Sequence, residues 1–124
     1  MASVIPERRV EGVLILSPTN ALTGAGEAAL KDRLDELVRE GNREILIDMG
    51  QVPFIDSTEL GRLIRSHLSV RRAGGRIRLF NLSPRVVALM RLSKLETFFE
   101  LFDTEDQALA HIVEIREERA GTTA

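Results

Sequence analysis

The chain has 124 residues, a length that supports one hydrophobic core and leaves no room for a second. Apolar residues make up 44% and charged residues 29%, ordinary for a globular domain and unlike a disordered tail. Seventeen basic against nineteen acidic residues give a net charge of -2, too little positive field for unspecific nucleic-acid binding, and the absence of Cys excludes disulfide scaffolds, thiolate metal sites and cysteine nucleophiles.

The N-terminus, MASVIPERRVEG, carries charges within its first ten residues and no apolar stretch of signal-peptide length. No apolar run approaches the roughly 20 residues needed to cross a bilayer, so the expected location is the cytoplasm, with no membrane contact. An extended stretch around Ser3 to Arg8 and the apolar run Val10 to Leu16 read as two strands joined through Glu11 and Gly12. Turn formers fill Ser17 to Gly26, and a helix is expected over Glu27 to Glu40, with Leu30, Leu34, Leu37 and Val38 at helical spacing and Gly41 as its stop. Glu44 to Met49 reads as a buried strand. Gly50 to Asp56 leads into a second helix carrying Leu60, Leu63, Ile64 and Leu68 on one side, ended by Ala73, Gly74 and Gly75. Arg76 to Asn81 alternates as a strand does, and Ser83 followed by Pro84 opens a third helix to about Leu92, with Val86, Val87, Leu89, Met90 and Leu92 facing inward. Phe98, Phe99, Leu101 and Phe102 form a last apolar cluster with a short strand. Glu105 then opens a terminal helix with Ala108, Leu109, Ile112 and Val113 inside.

This alternation is an α/β pattern, a mixed sheet of four to five strands covered by about four helices. Residues 1–124 form one domain, with its core between about 10 and 113 and a frayed tail over 117–124. The expected core comprises Leu14, Leu16, Leu30, Leu34, Ile45, Ile47, Leu60, Ile64, Ile77, Leu79, Val87 and Phe98.

Open α/β sheets place their sites where a strand's C-terminal end runs through a loop into a helix. ILIDMGQVPFIDSTELGRLI, residues 45–64, is such a segment. Asp56 and Glu59 have N-cap and N3 spacing, which puts Ser57 and Thr58 in the first helical turn, where backbone N–H groups lack intrahelical acceptors and the dipole is positive. Two readings follow from this local pattern: small polar residues that start a helix, or a serine whose phosphate the backbone can stabilise.

Enzymatic and DNA-binding readings fare worse. A serine hydrolase needs a base within about 3 Å of Ser57, yet His67 lies roughly 15 Å along the same helix and there is no GxSxG elbow. GAGEAAL lacks the phosphate-loop pattern GxxxxGK[ST]. His67 and His111 are too far apart for a zinc site and read as surface or core-edge residues. Arg85, Arg91 and Lys94 form a solvated helix face, a weak DNA signal without net positive charge. Arg62, Arg65, Arg71 and Arg72 on the second helix serve either solubility or partner contact.

The order IDM, FIDSTELG, GGRIRL and NLSPRV, within a stretch from about Val10 to Ile112, resembles the STAS domain of bacterial anti-sigma factor antagonists. The resemblance implies a partner switch. The unphosphorylated protein binds an anti-sigma factor that is also a serine kinase and frees the sigma factor; the kinase phosphorylates the residue matching Ser57, with Thr58 as a secondary site; a PP2C-type phosphatase restores the free hydroxyl. The protein is then a substrate and binding module, not an enzyme, with no catalytic residue, cofactor or metal, and no direct nucleic-acid contact. Asp56, Thr58, Glu59 and Thr23 flank the phosphosite and face the partner. Two positions depart from the family's pattern: Glu59 replaces a usual Gly after the phosphosite, bringing a carboxylate within a turn of the phosphate, and Thr23 replaces an acidic residue in the loop after the second strand. The alternative is a non-switching STAS scaffold or ligand-sensing module of a signalling assembly.

Overall fold

The computed structural model describes residues 5–20 and 29–122. Strands β1 (Glu7–Val10) and β2 (Val13–Leu16) form an antiparallel hairpin closed by Glu11 and Gly12, whose φ values of 52° and 79° are those of a type I′ turn. From β2 the chain advances one strand at a time through α1 (Ala29–Arg39), β3 (Glu44–Asp48), α2 (Ser57–Arg72), β4 (Arg76–Phe80), α3 (Pro84–Leu92) and β5 (Leu101–Phe102), then closes with α4 (Glu105–Thr122). The sheet order is β1-β2-β3-β4-β5, and every pairing after the hairpin is parallel. Successive crossovers that step the same way with the same hand drop their helices on the same face.

That face is the larger core. Leu14, Leu16, Ile45, Ile47, Ile77 and Leu79 point into it from three strands in register, and Leu30, Leu34, Leu37, Leu63, Val70, Val86, Met90 and Phe99 meet them. The alternate residues Val13, Ile15, Leu46 and Phe80 face α4, where Ala108 and Ile112 cover them. Because both faces are covered, β2 is buried along its whole length, as its VLIL sequence requires.

One charged cluster shares the α4 side. Arg78 is 3% exposed and pairs with Glu44 and, at 3.1 Å, with Glu100; Arg76 and His111 also reach Glu100, at 2.6 and 3.1 Å. Burial by itself pushes the Glu100 carboxyl up, but Arg78, followed by Arg76 and His111, holds it below the ordinary carboxylate range.

Several expectations shift. The first strand lies at Glu7–Val10 rather than Ser3 to Arg8; as an edge strand it is written in charges, ERRV, which blunt edge pairing but hide the strand from a hydrophobic pattern. Val86 rather than Val87 is fully buried on α3, and Leu92, expected inside, is 85% exposed at the helix end. Leu60, Ile64 and Phe98 pack against the core while staying half-buried. α4 continues through residues 117–122, where fraying was expected. Among the described residues no helix is long and apolar enough to cross a membrane.

Candidate functional site

At the C-terminal end of β3 the chain must leave the sheet without stranding its amides. Met49 N–H donates to the Phe80 carbonyl at 2.9 Å, Gly50 N–H to Asp48 Oδ1 at 2.9 Å, and Asn81 Nδ2 reaches the same oxygen at 3.3 Å. A Cβ at Gly50 would run into Asn81 Nδ2, so a side chain here would displace the Asn81 amide from Asp48. Val52 and Ile55, 1% and 6% exposed, then anchor the loop in the core.

The anchored loop delivers Asp56 in an extended conformation, φ -86° and ψ 170°, as the N-cap of α2. Its carboxylate accepts from Glu59 N–H at 2.8 Å. Ser57 and Thr58 are the first two residues of the helix, both exposed, and their amides belong to the turn that has no intrahelical acceptor. A hydroxyl here stands in solvent at the positive end of a sixteen-residue helix.

A second helix start is fastened to this loop. Ser83 caps α3 by accepting from Val86 N–H at 3.2 Å, its hydroxyl lies 3.5 Å from the Pro53 carbonyl, and the Arg85 guanidinium sits 4.8 Å from the Phe54 ring centroid. The Ser83–Pro84 signature was readable in the sequence; that it would dock against Pro53 and Phe54 was not, since no local pattern reports a contact between two loops.

Glu59 occupies the N3 position that its spacing from Asp56 implies, but its side chain does not face solvent beside Ser57. Its side chain is buried, 5% exposed, and pairs with Arg62 at 3.2 Å, so the carboxylate is turned inward and its charge is matched. Thr23, and the GAGEA stretch weighed as a phosphate loop, fall outside the described residues. His67 is wholly buried between Phe98 and Phe99, with ring centroids 4.8 and 5.0 Å away, and neither ring nitrogen has a hydrogen-bond partner. That corrects its expected surface or core-edge place. Desolvation first, then Arg71, Arg76 and Arg78, push its pKa down to about 4. His111 lies on α4, across the sheet. Neither imidazole is therefore placed as a base for Ser57.

The arrangement presents an exposed hydroxyl on a capped helix start, beside an exposed helix face.

The chain matches the profile of the STAS domain family over residues 5–108. It is 29% identical over 110 residues to a candidate anti-sigma factor antagonist from Thermotoga neapolitana, a match that covers 88% of this chain and 97% of that one. An anti-sigma F factor antagonist from Paenibacillus polymyxa is 24% identical, with 82% and 87% covered. The crystal structure of a candidate anti-sigma factor antagonist from Thermotoga maritima matches with a TM-score of 0.81 at 26% identity, over 86% of this chain and 92% of that one.

Proposed function

This chain belongs to the STAS domain family, and from that premise we propose that it is an anti-sigma factor antagonist switched off by phosphorylation of Ser57. Unphosphorylated, it binds an anti-sigma factor that is also a serine kinase, and the sigma factor goes free. The kinase transfers the γ-phosphoryl group of ATP to Ser57 Oγ, and a PP2C-type phosphatase removes it. The chain acts as substrate and binding module, in the cytoplasm where sigma factors work.

The observation that carries this reading is the placement of Ser57, exposed as the first residue of α2 behind the Asp56 cap. A phosphate there gains about -1.5 to -2 charges and three acceptor oxygens beside amides that have no intrahelical acceptor, so the modified chain keeps its fold. The partner, by contrast, would have to desolvate that charge. Burying an unmatched charge costs several kcal/mol, and about 1.4 kcal/mol already lowers affinity tenfold. The switch thus needs no conformational change. The inward pairing of Glu59 with Arg62 supports the reading, because it takes away the repulsion that the Gly-to-Glu departure would otherwise bring to the phosphate.

The test is intact mass with peptide mapping on the protein isolated from its native cells, in growth and under stress. A condition-dependent phosphate on Ser57 is the expected result. No phosphate in any condition overturns the switch and favours a non-switching scaffold or ligand-sensing module.

A further inference from the structure

Four arginines lie on α2, and the structure divides them. Arg62 is matched by Glu59, whereas Arg65, Arg71 and Arg72 are exposed and have no ion-pair or hydrogen-bond partner among the described residues. On the neighbouring α1, Asp35 is engaged by Lys31 and Glu36 by Arg33, which also holds Glu40 just past the helix; Asp32, in the first turn of α1, is exposed and makes no ion pair with α2. Residues 57, 61, 65, 68 and 72 are spaced by three or four and share one helix face, so Arg65 and Arg72 continue the line that Ser57 begins, over about 22 Å. Leu68, 40% exposed, stands between them. The only acidic residue on this helix, Glu59, is turned inside. A chain of net charge -2 thus carries an acid-free cationic strip along one helix.

We infer that the exposed face of α2, from Ser57 through Arg65 and Leu68 to Arg72, is an electrostatic docking strip for an acidic protein surface. The inference deepens the antagonist reading and rests on it for Ser57's place at the head of the strip. Unpaired guanidiniums fit carboxylates bidentately, and Leu68 supplies an apolar contact that a protein partner can cover and a phosphate backbone cannot. The chain's negative net charge and lack of Trp and Tyr disfavour a nucleic acid. A phosphate at Ser57 would place anionic charge at one end of the strip and oppose the same partner that the arginines attract.

The probe is a short poly-L-glutamate, titrated into the isotope-labelled full chain and followed by amide chemical shifts at about 0.1 M and about 1 M NaCl, between which screening becomes severe. Shifts confined to the exposed residues of α2 are expected at low salt, and their loss at high salt. Arg65→Glu and Arg72→Glu each weaken binding about fivefold, while Arg39→Glu, the same charge change on α1, leaves it unaltered. Unmoved sheet resonances show that each variant folds. Shifts spread over the molecule, equal weakening by Arg39→Glu, or an oligothymidylate binding the same residues as tightly would overturn the inference. None of these readouts needs the kinase, so loss of the strip is distinguishable from failure of the Ser57 switch.

Discussion

Replacing His67 by Leu should remove most of the protein's sensitivity to mild acid. The imidazole is fully buried against Phe98 and Phe99 with both ring nitrogens unpartnered, and its pKa is pushed down to about 4 by desolvation first and by Arg71, Arg76 and Arg78 next. In the unfolded chain the same group titrates near its ordinary value of 6.5. As pH falls below about 6.5 the unfolded state therefore takes up a proton that the native state refuses, and stability declines until the native group protonates near pH 4. Each pH unit in that window corresponds to about 1.4 kcal/mol, giving a loss of about 2 kcal/mol by pH 5 and about 3 kcal/mol across the whole window. Leu is close to His in volume and brings no polar atoms, so the variant should be at least as stable at pH 7.5 and nearly flat down to pH 5. Urea denaturation of both proteins at several pH values measures this directly. Parallel pH profiles for wild type and His67→Leu would refute the reasoning.

Two further predictions concern the fold around the site and across the sheet. Asp56→Ala removes the acceptor for Glu59 N–H and should cost about 1 kcal/mol, while Asp56→Asn retains most of the cap, both read from urea midpoints. Arg78→Met leaves Glu44 without its guanidinium and Glu100 with only Arg76 and His111, and should cost about 3 kcal/mol; the double variant with Glu44→Gln should recover part of that loss, which a double-mutant cycle measures.

Much of this architecture could be read from hydrophobic spacing. The apolar runs of β2 and β3, the Ser83–Pro84 start of α3 and the Asp56 start of α2 were all visible, because buried parallel strands and capped helices leave strong local patterns. The inner face of α2 differs from the one its leucine spacing suggests. Leu60, Leu63, Ile64 and Leu68 suggested one side, yet the residues buried are Glu59, Leu63, Ser66, His67 and Val70, a stripe turned by about a quarter of the circumference. Residue type is a poor guide here: Glu, Ser and His are seldom interior, yet Glu59 is matched by Arg62 one turn along the same helix and His67 packs on the Phe98–Phe99 pair, a contact no local pattern reports. The same rotation turns Leu68 and Arg72 outward along the Ser57 face. Spacing places Ser57 in the first turn of a helix, and the family resemblance singles it out; its exposure and the inward turn of Glu59 come from the packed helix.

The most direct test of the switch is the affinity of the anti-sigma factor kinase for the full chain in three forms, unphosphorylated, phosphorylated at Ser57, and Ser57→Ala, measured by calorimetry at one salt concentration. The first and third should bind equally well and the phosphorylated form at least about a hundredfold more weakly, the consequence of desolvating an unmatched phosphate at the head of α2. Equal affinity for all three forms would contradict the account.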